Sequence, residues 1–116
     1  MASGISSAKN LLISEDVLAA INAINKLGIK SRINHKECKI YGKGIDGYNY
    51  KKNLTIDAKN SGTLGRLILG LLVNTSHPIK LIGDKSLSKR DFKRISTPLS
   101  KFGVKFKLTN NKSLPL

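Results

Sequence analysis

The chain has 116 residues, 40% of them apolar, and carries 21 Lys and Arg against 7 Asp and Glu, a formal net charge of +14. That length suits one domain or a piece of one, with a modest core, and the charge favours anionic partners: nucleic acid, acidic membrane, or phosphorylated and carboxylated metabolites. Cys38 is the only cysteine, and His35 and His77 match no ligand spacing, so an intrachain disulfide and a cysteine-based metal site are excluded.

The longest apolar run, near 67–73, is far too short to span a bilayer. The first residues lack a signal-peptide pattern. A reducing compartment, the cytoplasm, is the expected location. Aromatics make up 5% of the chain and Trp is absent, so Leu, Ile and Val must build the core.

Residues 5–13 hold a short strand candidate ending in Leu11, Leu12 and Ile13. Ser14 reads as an N-cap, with Glu15 and Asp16 in the first turn. Val17, Leu18, Ile21, Ile24 and Leu27 recur at helical spacing, and Gly28 is a natural helix terminator. Strand candidates follow at 29–33 and 37–42. Gly42, Gly44 and Gly47 mark a turn-rich connection. Leu54–Asp57 reads as a short strand, and an apolar helix then runs to about Asn74.

That helix has the most informative entry in the chain, Asn60-Ser61-Gly62-Thr63-Leu64-Gly65-Arg66. Asn60 or Ser61 can cap it. Gly62 removes bulk where a ligand could reach the backbone, and first-turn N–H groups favour an anion there. Arg66 is the only charge between Thr63 and Val73. It needs a buried carboxylate, an anionic ligand, or a route to surface water.

Ile79–Ile82 reads as a buried strand, and Gly83-Asp84 turns the chain. A last helix is expected over roughly 89–102, with Phe92, Ile95, Leu99 and Phe102 on one face and a bend at Pro98. Arg90 stands at its start, where a guanidinium can grip a carboxylate or phosphate with two N–H groups. Lys85, Lys93 and Arg94 fit a solvated basic face. Val104–Leu108 reads as the final strand. The segments Ile24–Lys30 and Leu99–Lys105 form a weak internal repeat: helix end, glycine, strand start.

Three blocks now stand in register: Asn60-Ser61-Gly62-Thr63…Arg66, Gly83-Asp84…Ser86-Leu87…Arg90, and Pro98-Leu99…Phe102-Gly103. Their order and spacing resemble the enolpyruvyl transferases, and most closely the shikimate-pathway branch of that family. The segment Asn10–Val17, with Leu27-Gly28 after it, is similar to the family's first helix. The sister branch acting on UDP-N-acetylglucosamine fits less well, because its loop carries a cysteine and Cys38 lies elsewhere.

The resemblance implies an α/β (α+β) fold of repeated βαβαββ units. About two would be present here: an incomplete first unit over about 1–53 and a second over about 54–116. It implies transfer of the enolpyruvyl group of phosphoenolpyruvate to the 5-hydroxyl of shikimate 3-phosphate, without metal or organic cofactor. Gly62 and Arg90 match residues that contact phosphoenolpyruvate, and Asn60 lies in the same loop. Thr63 and Arg66 form a second tier. The family usually has Pro where this chain has Asp91, an acid that either pairs with Arg90 or caps the helix.

The family's Lys-Ser…Arg signature has no counterpart upstream of Ile5, and its second domain with the catalytic acid and lysine is absent. The chain therefore reads as an internal fragment or truncated product of a synthase, inactive without the remainder, with no catalytic residue of its own. The competing reading is a small basic nucleic-acid-binding module. Phe92, Phe102 and Phe106 sit at positions suited to core packing rather than to stacking platforms, which argues against it. No specific nucleic acid and no membrane is expected as a partner.

Overall fold

The computed structural model describes residues 2–116. Strands β1 (Ser3–Ala8), β2 (Ser31–Asn34) and β3 (Glu37–Lys43) form an antiparallel sheet in the order β1-β3-β2. Helix α1 (Glu15–Lys26) lies between β1 and β2 in the chain. Ser14 starts it by accepting the Val17 N–H at 3.3 Å. The strand expected over 5–13 stops at Ala8, and Leu11–Ile13 lie in the connection to α1.

Strands β4 (Leu54–Asp57) and β5 (Ile79–Ile82) pair in parallel, Leu54 opposite Ile79 and Asp57 opposite Ile82. Helix α2 (Gly62–Leu71) is the crossover between them. Such a crossover returns the chain to the starting edge, so both strands end on the same side. The free side of β5 takes the last residue: Leu81 N–H donates to the Leu116 carbonyl at 2.8 Å, and Leu116 N–H to that of Leu81 at 3.1 Å.

The core gathers where α1 and α2 cover this second sheet. Ile56, Ile68, Leu81, Leu87 and Phe92 are fully buried, with Ala23 and Leu27 of the first half and Leu114 packed beside them. Burying a side chain of this size contributes about 1.5–3 kcal/mol, and this cluster is the largest apolar burial in the molecule.

The repeat near the two glycines has a common geometry. After α1, Gly28 takes φ 85° and Ile29 N–H reaches back to the Ile24 carbonyl at 3.0 Å. After the last helix, Gly103 takes φ 88° and Val104 N–H reaches the Leu99 carbonyl at 3.4 Å. Both are left-handed glycine terminations, in which residues with a Cβ are strained.

The last third departs from the expected pattern. The helix expected over 89–102 is a short 3₁₀ turn, Leu87–Lys89, followed by α3 (Lys93–Ser100). Between them Arg90 is extended, with φ −73° and ψ 152°. Asp91 causes the restart, because its carboxylate accepts the Lys93 N–H at 2.7 Å and so replaces a backbone partner. Asp91 is neither paired with Arg90 nor the cap of α3, which is Phe92 without a side-chain cap bond. Phe102 lies beyond the end of α3 and is 85% exposed, not on the buried face. Helix α2 ends at Leu71 rather than near Asn74. Val104–Leu108 takes no regular secondary structure and joins no sheet, with Val104, Phe106 and Leu108 half-buried and the lysines exposed.

Two stability changes follow. Phe92→Ala opens a cavity in the closed cluster and is expected to cost about 3–5 kcal/mol in denaturant unfolding. A cost under 1 kcal/mol would show that Phe92 does not close the core. Gly70 is exposed in α2, and a Cβ there would meet nothing within 4 Å. Gly70→Ala is expected to stabilise the chain by about 0.5–1 kcal/mol through lost unfolded-state freedom; a destabilised variant would contradict the open environment.

Candidate anion site between two turns

The parallel pair delivers two turns to one rim. The first runs from Ala58 into α2 and the second from Gly83 to Arg90. Backbone rungs continue beyond the strands: Ala58 N–H donates to the Ile82 carbonyl at 2.9 Å, and Asp84 N–H to the Lys59 carbonyl at 2.8 Å. The turns are therefore held together by the main chain before any side chain acts.

The first turn requires Lys59 at φ 53°, a left-handed conformation unfavourable for a side chain. Asp57 holds it there. One carboxylate oxygen accepts the Lys59 N–H at 2.8 Å and the other pairs with its ammonium at 3.0 Å. Burial pushes the Asp57 carboxyl up, but the Lys59 N–H and the Lys59 and Lys26 charges outweigh it and leave it below its ordinary value. Ser61, not Asn60, caps α2, accepting the Leu64 N–H at 3.1 Å. The N–H groups of Gly62 and Thr63 donate to no described group.

Asn60 uses its side chain across the rim instead. Its amide donates to Asp84 Oδ2 at 2.5 Å. Asp84 Oδ1 accepts the Leu87 N–H at 2.7 Å. These two bonds, the Leu87 N–H first, hold the Asp84 carboxyl below the ordinary carboxylate value, and the Arg90 charge adds to them. A depressed folded-state pKa stabilises the fold fully above the unfolded value, and the gain is lost as pH falls through the folded one.

Arg90 closes the arrangement. A Cβ built on Gly62 would stand 2.6 Å from its Nη1, closer than any real contact allows. Glycine at 62 thus leaves the guanidinium room to lie on the backbone, and a side chain there would displace it. Leu87, three residues before Arg90 and fully buried, anchors the second turn beneath it. The Arg90 side chain has no hydrogen bond or ion pair with a described residue, and its planar fork of donors faces solvent.

The structure brings Asn60, Gly62 and Arg90 to one rim. Arg66 stands one helical turn along α2 from Gly62, on the same face, half-buried and without an ion pair among the described residues. Thr63 is separated from them, because it lines the apolar groove of about 350 Å³ between α1 and α2. Sequence reasoning placed Asp84 in the turn without giving it a role in the site. The available signal was its position after Gly83, since Asp at a turn readily bonds backbone N–H groups ahead of it. Among the described residues, no group of three His, Cys, Asp or Glu side chains could hold a metal ion, and no helix is long and apolar enough to cross a membrane.

Comparison with known proteins gives a consistent result. The family model described as EPSP synthase (3-phosphoshikimate 1-carboxyvinyltransferase) matches residues 1–116. The 3-phosphoshikimate 1-carboxyvinyltransferase of Oenococcus oeni is 40% identical over 113 residues, which is 97% of this chain and 26% of that protein. The enzyme of the same name from Ruthia magnifica is 40% identical over 117 residues, 100% of this chain and 26% of that one. The EPSP synthase of Acinetobacter baumannii, solved at 2.37 Å, superposes with a TM-score of 0.91 at 31% identity, covering 99% of this chain and 26% of its own. The chain spans about a quarter of the length of the curated relatives it matches. Nothing in these comparisons supports a nucleic-acid-binding module. With the match running from end to end, the chain belongs to the EPSP synthase family.

Proposed function

We propose that the rim formed by Asn60, Gly62 and Arg90 binds phosphoenolpyruvate in a 3-phosphoshikimate 1-carboxyvinyltransferase. That enzyme moves the enolpyruvyl group to the 5-hydroxyl of shikimate 3-phosphate and releases phosphate. The observation that carries this reading is the Arg90 guanidinium lying on Gly62 beside first-turn N–H groups without partners. A guanidinium fork and a helix N-terminus both suit a carboxylate or phosphate, and here they converge. Arg66 adds a second positive charge along α2. Asn60 has one amide N–H committed to Asp84, which leaves the other for ligand.

The remainder of a synthase is the partner this reading requires, since the chain covers a quarter of its relatives. The two glycine terminations support a division into related units over about 1–53 and 54–116. The cytoplasm suits the buried free thiol of Cys38.

Isothermal titration of the chain with phosphoenolpyruvate tests the site. Arg90→Ala removes a charge-assisted contact and is expected to raise the dissociation constant roughly ten- to a hundredfold. Gly62→Ala drives the guanidinium off the backbone and should weaken phosphoenolpyruvate more than shikimate 3-phosphate. An Arg90→Ala chain that binds phosphoenolpyruvate unchanged would remove the basis of the proposal.

The chain by itself is expected to show no turnover, because enolpyruvyl transfer needs stabilising groups from several directions. A phosphate-release assay checks this. Steady release from phosphoenolpyruvate that requires shikimate 3-phosphate would overturn it.

A further inference from the structure

We infer that Asp84 is a positioning residue of this site, holding the Arg90 guanidinium in place before an anion arrives. The inference rests on the phosphoenolpyruvate reading for its ligand. An exposed arginine ordinarily samples many rotamers, and fixing one on binding lowers affinity. Arg90 is exposed and its side chain forms no described hydrogen bond, yet its Nη1 lies on Gly62. Leu87 Cδ1 stands 3.9 Å from the same built Cβ position, so the buried anchor of the second turn also lies beside Gly62. The Asp84 carboxylate lies on the same rim, fixed from both sides by Asn60 at 2.5 Å and by the Leu87 N–H at 2.7 Å.

The geometry separates attraction from capture. Among the described residues the only ion pair joins Lys59 and Asp57, so Asp84 lies outside contact distance of Arg90. Both Asp84 oxygens are already engaged by other donors. The carboxylate can therefore hold the guanidinium by its field without occupying the donor fork. Asp57 does not share the role, because the Lys59 ammonium 3.0 Å from its Oδ2 offsets its charge. Asp91 Oδ1 is turned to the start of α3, where it accepts the Lys93 N–H at 2.7 Å. Lys85 and Lys89, exposed on the same turn, have the wrong sign to hold an arginine.

Asp84 also repels an incoming anion, so the two effects have opposite signs. If repulsion were the whole of its influence, removing it would tighten binding. If it acts by placing Arg90, removal weakens binding, and mainly while Arg90 is present.

A double-mutant cycle on the full 116-residue chain, titrated with phosphoenolpyruvate, decides between them. Asp84→Ala is expected to raise the dissociation constant about three- to tenfold in the native background and to raise it clearly less, or lower it, in Arg90→Ala. Asp84→Asn keeps an acceptor for the Leu87 N–H and protects the turn; it should show the same dependence on Arg90, so a poorly folded alanine variant does not end the test. As a reading independent of ligand, a ¹³C titration of the Asp84 carboxyl should move upward when Arg90 is replaced by alanine. Tighter binding without Asp84, an equal loss in both backgrounds, or an Asp84 titration indifferent to Arg90 would each overturn the inference. Unchanged binding in Arg90→Ala alone would instead count against the phosphoenolpyruvate reading, with the carboxyl titration still judging the Asp84–Arg90 link.

Discussion

Parallel pairing of β4 with β5 is the constraint on which the rest depends. Because the crossover helix α2 brings the chain back to start a second strand in the same direction, both strands must end at one edge. Two turns then leave that edge side by side, and the rungs Ala58–Ile82 and Lys59–Asp84 extend the pairing into them. Residues that are 28 positions apart in sequence, Gly62 and Arg90, meet as a result.

The rim is rigid because its supports are buried while its functional atoms are not. Leu87 and Phe92 bracket Arg90 in sequence, and both are fully buried. Between these anchors the backbone has little choice but to present the arginine outward in an extended conformation. The first turn is held differently. A left-handed Lys59 stores unfavourable backbone energy, and the Asp57 carboxylate offsets it with a backbone hydrogen bond and an ion pair. Local strain followed by a helix N-terminus is a common construction where a chain must bring backbone donors close to a ligand.

Much of this was legible in the sequence. Ser14 and the acidic first turn of α1, the apolar Ile79–Ile82 run, and the polar entry to α2 each carry their own chemical signal, and each lies where the signal places it. Failures came where two signals competed. Phe92, Ile95, Leu99 and Phe102 keep helical spacing across 89–102, but the Asp91 carboxylate starts the helix only at Lys93 and a glycine termination follows Ser100. Val104–Leu108 alternates like a strand, yet the edge of β5 is taken by Leu116. The meeting of Gly62 and Arg90 was foreseeable from two turns that each follow an apolar strand. The Asn60–Asp84 bond was not, because sequence shows that both residues favour turns but not that they face one another.

A chain with a formal charge of +14 attracts any anion, so the central question is whether one rim is special. Amide and arginine-side-chain NMR shifts, followed as phosphoenolpyruvate is added at physiological salt, ask this directly. The account predicts that Asn60, Gly62, Thr63 and the Arg90 Nε–H shift together along one saturating curve, while the lysines of the β1-β3-β2 sheet stay still. Diffuse, unsaturable shifts across Lys39, Lys43 and the other surface lysines, with the two turns unaffected, would contradict it.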